Sequence, residues 1–343
     1  ILIWAKLALK DSNWNPSATH LDTIEKLAPI LRHLRHSDAG LPRFHGSCGD
    51  VDGQLDQALS HAENREIFRN ELSVGFARLS NSRTTIIIDA APPPIGKPSF
   101  IADASTLAFE MVSGQRRIFT SCGPGYLFGS DFSSVSRQTS SHCTVYLEGH
   151  NSSHFSEEKV RFQASKNFIT TAPLKVPHEI STDEGKEIFE GAHDGYVKSH
   201  GLTHVRKLKL AQSGQTFEGE DLLIAIDDVH KRQFDKSLKS KSSGQFLAKA
   251  AFHFHPNVAV RWDQDKNLIS LALKNGEIWI FDYGQDLKIT LEPTVFFEAG
   301  LFEPIESQKL ILTADIVKYG TRIEWSITRA FDKDLSVGDL FKN

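Results

Sequence analysis

The dominant pattern along the chain is an alternation of apolar and polar residues, which begins near residue 74 and recurs in short segments almost to the end. Typical examples are the stretches RTTIIIDA, NLISLAL and TRIEWSI, and clusters of Gly, Asn, Asp, Ser or Pro separate most of them. A period of two places successive side chains on opposite faces of a strand. Because no long helical pattern intervenes, we predict a mainly β protein with a large antiparallel β-sandwich rather than a parallel α/β sheet.

The first sixty or so residues follow a different, helical pattern. Within residues 19–36, apolar positions recur at three-and-four spacing at Leu21, Ile24, Leu27, Leu31 and Leu34. Thr19 is a candidate cap, and Pro29 predicts a kink. A second helical piece follows in GQLDQALSHAE. These helices are too short to form a core alone. Much further along, the basic stretch 231–245 predicts a surface loop with a little helix.

One strand carries an unexpected acid. In the stretch FIADASTLAFEM, Leu107, Phe109 and Met111 alternate with polar or small residues, which predicts a strand from Thr106 onward. Extended backward, the same alternation places Asp103 on the apolar face. Asp103 is therefore a candidate functional acid, a candidate metal ligand or a loop residue.

Composition narrows the range of partners. The 343 residues carry a formal charge of -4, with a pI near 6.4 and 15 histidines. This balance predicts no nucleic-acid partner, so an acidic ligand needs a local site. The three cysteines form neither a disulfide framework nor a CxxC site. The opening ILIWAKLALK lacks a Met and is too short to span a membrane, so we interpret the chain as a fragment whose N-terminus and any signal peptide lie upstream.

Histidines and arginines are the main candidates for chemistry, because the chain has no P-loop, dinucleotide-binding glycine pattern, GxSxG or HExxH motif. In FHFHP, His253 and His255 share one strand face and would need a third ligand to hold a metal; the alternative is a polar-face or core-capping role. Arg137 and His142 lie in SVSRQTSSHC, where an arginine can bind a carboxylate and a histidine can transfer a proton. The alternative there is a solvated polar loop.

Two further groups of polar residues stand out. The segment RHSDAGLPRFHGS contains Arg43 and His45 where helices give way to sheet, and such a junction is a common place for a cleft. The segment AHDGYVKSHGLTHVRKLKL adds His193, His200 and His204, which are equally consistent with a site or with turns and cross-strand pairs.

Several longer segments resemble the C-terminal part of bacterial heparinase II/III-like proteins. They include LRHSDAGLPRFHGSCGDVDGQLDQAL, GFARLSNSRTTIIIDAAPPP, ADASTLAFEMVSGQRRIFTSCG, SRQTSSHCTV, SHGLTHVRKLKL and FHFHPNV, in the family's order. The resemblance implies an incomplete α/α toroid joined to a C-terminal antiparallel β-sandwich. We therefore predict toroid helices in residues 1–62 and the sandwich in residues 63–335.

The resemblance also implies a function. Characterised members are polysaccharide lyases that act on uronic-acid-containing chains in a cleft between toroid and sandwich. Most of their acid and base residues would precede Ile1, so this chain would supply the sandwich wall. The family's R-x-T-x-x-H segment corresponds to Arg137, Thr139 and His142, which makes Arg137 and His142 the candidate catalytic residues. Arg43 and His45 at the junction are the candidate substrate-binding residues.

Asp103 departs from the family pattern, because relatives usually carry histidine at this position. Together with His142 it would begin a structural divalent metal site, for zinc or calcium. The substitution also supports a second hypothesis, a non-catalytic glycan-binding or structural cell-envelope protein. We expect an acidic polysaccharide as partner, no nucleic acid and no membrane insertion. We also expect a location in the bacterial cell envelope or periplasm, with the cytoplasm as the alternative.

Overall fold

The computed structural model describes residues 1–48, 53–65, 71–158, 166–241, 244–316 and 318–330. Three helices precede the sheets and three more lie between strands: α1 (Leu2–Asp11), α2 (Ala18–His33), α3 (Gln54–Ser60), α4 (Ser130–Ser136), α5 (Val197–His200) and α6 (Asp228–Lys239). Among the described residues no helix combines the length and the apolar character needed to cross a membrane.

The strands of the first half are β1 (Phe76–Asn81), β2 (Thr84–Asp89), β3 (Phe109–Ser113), β4 (Arg116–Phe119), β5 (Val145–Leu147), β6 (His154–Glu158), β7 (Lys166–Thr171), β8 (His178–Asp183) and β9 (Lys186–Tyr196). Those of the second half are β10 (Leu202–Leu210), β11 (Thr216–Ile224), β12 (Phe246–His253), β13 (Val258–Asp263), β14 (Leu268–Leu273), β15 (Ile278–Tyr283), β16 (Lys288–Phe296), β17 (Ile305–Ile316) and β18 (Gly320–Arg329).

The strands form one large sheet and three smaller ones. The large sheet has eight strands in the order β13-β14-β15-β18-β11-β10-β9-β8. Two four-stranded sheets have the orders β1-β2-β3-β4 and β16-β17-β12-β5, and β6 pairs with β7. Every pairing between these strands is antiparallel.

Apolar side chains from the large sheet and both four-stranded sheets meet in a single core. Phe109 of β3 stacks on Trp325 of β18 with ring centroids 5.4 Å apart, and Phe252 of β12 meets the same indole edge-on at 4.8 Å. In most strands of these three sheets one face supplies this core, which is the physical origin of the period-two pattern. The predicted antiparallel β-sandwich is confirmed.

The helical segment buries only a small cluster of its own, formed by Ile3, Ile24, Ala28, Leu59 and Ala62, in keeping with helices too short to form a full core. The cap of helix α2 lies two residues before the expected Thr19, because the side chain of Ser17 accepts the N–H of His20 at 3.2 Å. The division into residues 1–62 and 63–335 stays a prediction, and residues 331–335 lie outside the described part of the chain.

Two local predictions are wrong. The basic stretch near 231–245 is mainly the helix α6, whose Asp227 cap accepts the N–H of His230 at 2.8 Å. Phe234 is its buried contact with the core. The alternating stretch KVRFQA also predicts a strand, and its residues 159–164 lie outside the described part of the chain.

The second wrong prediction concerns the start of β3. The strand begins at Phe109 rather than Thr106, so the backward extension to Asp103 fails and Asp103 lies in a loop. Leu107 has a φ of +63°, which breaks the extended backbone just before the strand. All five residues of β3 are buried because both faces of the strand are covered.

Candidate functional site

A reciprocal pair joins the segment after the first helices to the loop before β3. The backbone N–H of His45 donates to Oδ2 of Asp103 at 2.5 Å, and the backbone N–H of Asp103 donates to Nδ1 of His45 at 3.1 Å. His45 has a φ of +53°, a backbone conformation that residues other than glycine seldom adopt. The two hydrogen bonds therefore hold an unfavourable backbone conformation in place.

The second ring nitrogen of His45 faces another carboxylate. Its Nε2 lies 3.1 Å from Oδ2 of Asp89, the last residue of β2. Ser105 donates its hydroxyl to the same oxygen at 2.6 Å, and the backbone N–H of Leu107 donates to the Asp89 carbonyl at 2.7 Å. The end of β2 thus fastens both His45 and the loop from Asp103 to Leu107.

These contacts set the protonation of the pair. Burial by itself lowers the pKa of His45, but the Asp89 and Asp103 carboxylates outweigh it and raise the pKa to about 9. The N–H of Asp103 opposite Nδ1 limits that rise, because this nitrogen must keep its lone pair to accept the bond. Burial also raises the pKa of Asp103 to about 6, against the opposing influence of His45.

His142, one of the two predicted catalytic residues, lies beside this cluster and is almost fully buried, with only 1% of the residue exposed. Its Nδ1 lies 3.0 Å from the hydroxyl of Ser121, and its Nε2 lies 4.0 Å from Oδ2 of Asp103. Burial, with His253 nearby, lowers the pKa of His142 to about 3. The fold therefore brings His142 and Asp103 together as predicted, but it keeps the imidazole neutral and away from solvent.

Arg137, the other predicted catalytic residue, donates to three backbone carbonyls. Its Nε, Nη1 and Nη2 bond to the carbonyls of Ala102 at 2.7 Å, Asn167 at 2.7 Å and Ser99 at 2.6 Å. The guanidinium also lies 4.8 Å from the ring centroid of Phe155. Arg137 thus fastens β7 to the loop that carries Asp103.

The outer side of Arg137 borders a polar cleft of about 300 Å³. Its lining includes Arg137, Gln138, His150, Asn151, His154 and Asn167. Within the described residues, the buried Oδ1 atom of Asn167 has no hydrogen-bond partner. This arrangement of amides, imidazoles and a guanidinium is suited to the hydroxyl and carboxylate groups of a sugar.

Arg43, one of the two predicted substrate-binding residues, is buried and held by another segment. Its guanidinium donates to the carbonyl of Phe297, lies 3.4 Å from Glu298 and stands 4.3 Å over the ring of Phe296. Its backbone N–H donates to Glu110 at 3.1 Å. The structure thus places Arg43 at an anchoring position. His45 is more accessible, with 24% of its side chain exposed.

A metal at Asp103 and His142 has little support in the donor geometry. Across the part of the chain that the structure describes, no group of three or more His, Cys, Asp or Glu residues is arranged to hold an ion. Nδ1 of His142 is engaged by Ser121, and the Asp103 carboxylate accepts the N–H of His45. His253 is likewise engaged, because its Nε2 lies 2.8 Å from the carbonyl of Ser140. These residues do not fit a zinc or calcium centre.

Four buried polar residues form a hydrogen-bonded network that the sequence analysis did not predict as a group. Nε2 of His193 donates to Nδ1 of His204 across 3.1 Å, since Nδ1 of His193 accepts the N–H of Gly195 at the same distance. Nε2 of His204 then donates to Asp221 at 2.8 Å, and Arg206 binds both oxygens of Asp221 at 2.7 and 3.0 Å. The signal was present, because His204 and Arg206 share the buried face of β10 with leucines.

This chain of residues supports the site from behind. Nη1 of Arg206 donates to the carbonyls of Leu107 at 2.7 Å and Cys143 at 2.8 Å. Leu107 ends the loop of Asp103, and Cys143 follows His142 directly. Arg206 therefore positions both segments from the centre of the sandwich.

The fold and the motifs define a class, and the comparison with known families agrees with it. The model described as "Heparinase II/III-like, C-terminal" matches residues 65–326, so the chain belongs to the heparinase II/III-like family. The resemblance expected from the sequence is confirmed.

Particular relatives share the fold over almost the whole chain. The heparan sulfate lyase HepC from Pedobacter heparinus superposes with a TM-score of 0.66 at 14% identity, covering 97% of this chain and 51% of that one. A heparinase III gives a TM-score of 0.63 at 12% identity, covering 95% and 51%. FtsZ-localized protein C of Caulobacter vibrioides is 25% identical over 315 residues, 90% of this chain and 51% of its own length. The chain thus spans about half the length of the relatives it matches.

Proposed function

We propose that this chain forms the sandwich wall of a glycan-binding cleft in a polysaccharide-lyase-like protein, and that the ligand is an acidic, uronic-acid-containing polysaccharide. The observation that carries the proposal is the polar cleft beside Arg137, where guanidinium, imidazole and amide groups line one depression of about 300 Å³. A uronate offers a carboxylate and several hydroxyls to such a surface. Family membership and the fold shared with heparan sulfate lyases support the proposal.

Elimination of a uronate needs a group that stabilises its carboxylate, a base for the C5 proton and an acid for the leaving C4 oxygen. Both ring nitrogens of His45 are already engaged, and His142 is buried with a pKa lowered to about 3. We therefore assign binding and positioning of the glycan to this chain. The acid and base of an elimination would be supplied by other parts of the full-length protein.

The test uses the full-length protein and two polymers, a uronate polysaccharide and a neutral one of matched length. Binding by calorimetry to the uronate polymer alone is expected, with release of unsaturated uronate detected by ultraviolet absorbance. His154→Ala is expected to weaken binding about tenfold, because its exposed side chain lines the cleft without holding the fold together. His178→Ala, an exposed histidine elsewhere, is the matched control. Equal binding to both polymers, or none, contradicts the proposal.

A second candidate is a non-catalytic role at the cell envelope. Asp103 stands where the family usually has histidine, and the Caulobacter relative is named for its localisation to FtsZ. Two measurements separate the candidates. Gain of cleavage in Asp103→His, where the unaltered protein only binds glycan, supports the non-catalytic role. Co-sedimentation with purified FtsZ polymers tests whether that relative's association extends to this protein.

For location, we propose the cell envelope or periplasm, with the cytoplasm as the alternative. The support is chemical, because long acidic glycans of the expected kind lie outside the inner membrane. A fusion of the full-length protein to a reporter that folds only in the periplasm tests this. Activity of a cytoplasm-only reporter instead contradicts the proposal.

A further inference from the structure

A second cleft, of about 330 Å³, lies where the helical segment meets β1, and it shares no residue with the sites described above. We call it the arginine cleft. Its lining is Arg32, Arg35, Arg65 and Arg78 together with His36, Ser37 and Ala39. Four guanidinium groups therefore surround one depression in a chain whose net charge is -4.

Neutral carbonyls, rather than carboxylates, hold two of these arginines. Arg32 donates to the carbonyls of Leu59 at 2.6 Å and Asn64 at 3.3 Å, which ties α2 to the segment that ends in Arg65. Arg78 of β1 donates to the carbonyls of His33, at 3.2 Å, and Arg35 at the end of α2. These bonds fix the positions of the guanidinium groups and leave their charge intact.

Carboxylates balance only part of the charge. Asp56 lies 2.6 Å from Arg35, and Glu187 acts on Arg78. Of the four guanidinium charges, those of Arg32 and Arg65 then have no carboxylate partner among the described residues. The guanidinium groups repel one another. Burial, together with the neighbouring charges of Arg65 and Arg35, lowers the pKa of Arg32.

A buried histidine, His36, also belongs to the lining of the cleft. His36 is 3% exposed, and neither of its ring nitrogens has a hydrogen-bond partner among the described residues. Its Nε2 lies 3.6 Å from Glu110, whose carboxylate also lies 3.5 Å from Arg117. The Glu110 carboxylate therefore holds the His36 imidazole in place beneath the four arginines.

We propose that the arginine cleft binds a phosphate group. Two unbalanced guanidinium charges match the two negative charges of a phosphate dianion, and guanidinium groups bind phosphate oxygens through paired N–H donors. A cleft of about 330 Å³ has room for a free phosphate or for a small phosphate ester. This inference stands apart from the proposed glycan cleft and does not depend on it.

Arg65 offers the sharpest test, because its side chain is exposed and makes no bond to another described residue. Calorimetry on the purified protein would compare inorganic phosphate with glycerol 3-phosphate, against sodium chloride of equal ionic strength. Saturable binding of phosphate but not chloride is expected. Tighter binding of the ester identifies an ester ligand, and tighter binding of the free ion identifies phosphate itself.

Arg65→Gln is expected to weaken phosphate binding about tenfold, and Arg65→Lys, which keeps the charge, by less. The matched control is Arg261→Gln, an exposed arginine of β13. Arg65→Gln does not remove a contact that holds the fold, so unchanged thermal unfolding without phosphate is expected. Phosphate binding that is absent from the wild type, or equal in wild type and Arg65→Gln, overturns the proposal.

Discussion

His45 and Asp103, 58 positions apart, exchange backbone N–H donors: the N–H of His45 binds the Asp103 carboxylate at 2.5 Å, and the N–H of Asp103 binds the His45 ring at 3.1 Å. Each side chain thus accepts a hydrogen bond from the backbone N–H of the other residue. Asp103 therefore joins the helix-to-sheet linker to the loop before β3. A carboxylate is suited to this, because it accepts a backbone donor that a protonated imidazole would repel.

Removing this carboxylate should destabilise the protein. Asp103→Ala leaves the partly buried N–H of His45 without its acceptor, and we expect a loss of about 1–3 kcal/mol in the free energy of unfolding. Asp103→Asn keeps an oxygen and should lose less. Urea denaturation at neutral pH measures both. Asp282→Ala, at an exposed position of β15, is the control and should stay within about 0.5 kcal/mol. A similarly small change for Asp103→Ala would show that the reciprocal pair is not important.

Breaking the buried ion pair of Arg206 and Asp221 should cost far more. Asp221→Asn leaves the Arg206 charge uncompensated in the core, and we expect a loss of about 3–5 kcal/mol. The adjacent Glu220 pairs with Arg322 at 3.2 Å near the surface, so Glu220→Gln should cost at most about 1 kcal/mol. Chemical denaturation compares the two neutralised carboxylates on one strand. Equal losses would contradict the supporting role assigned to Arg206.

Gly219 is expected to tolerate no side chain. A Cβ at this position of β11 would lie 2.0 Å from Cζ2 of Trp325, its cross-strand partner, whose indole is packed on Phe109. Gly219→Ala should therefore destabilise the sandwich by about 1–3 kcal/mol and shift tryptophan fluorescence. Gly284→Ala is the matched control, because its Cβ would have 3.6 Å to the nearest atom. Similar unfolding curves for both variants would refute the expected clash.

Acid should unfold the protein through its buried histidines. Burial lowers the pKa of His142 to about 3 and those of His200, His253 and His255 to about 4. An unfolded histidine binds its proton near pH 6.5. For these four histidines the unfolded state therefore binds more protons between about pH 4 and pH 6.5. The stability that they contribute is complete above this window and is lost as the pH falls through it. Asp103 acts in the opposite direction. Burial raises the pKa of this one carboxyl group to about 6, so the folded state gains its proton first as the pH falls.

A substitution at His253 measures the contribution of one buried imidazole to this pH dependence. His253→Gln should reduce the slope of unfolding free energy against pH by about 1.4 kcal/mol per unit within the window. His178→Gln, at an exposed position of β8, should leave the slope unchanged. Urea denaturation at several pH values gives the slopes directly. An unchanged slope in His253→Gln would mean that this imidazole titrates normally in the folded protein.

The sequence was most informative where one rule of periodicity governs a whole element. Strands such as β14 and β18 follow from alternation because one face meets the core and the other meets solvent. The helix α6 was predicted only as a little helix within a loop, since its many lysines hide a narrow apolar contact, although Asp227 supplied a cap signal. The start of β3 was misplaced because local alternation does not reveal the positive φ of Leu107.

The candidate site was likewise predicted only in part from the sequence. Short sequence motifs were enough to predict four residues of the site, and the fold does bring them together. They are Arg137, His142, His45 and Asp103. Their partners were not predicted, because Asp89, Ser121 and Arg206 are brought to them only by packing of distant strands. By itself, the sequence determined the family, the antiparallel sandwich and the residue types at the cleft, since patterning and motifs are local. The tertiary structure decided which groups are buried, because burial and hydrogen bonding depend on neighbours far apart in the chain.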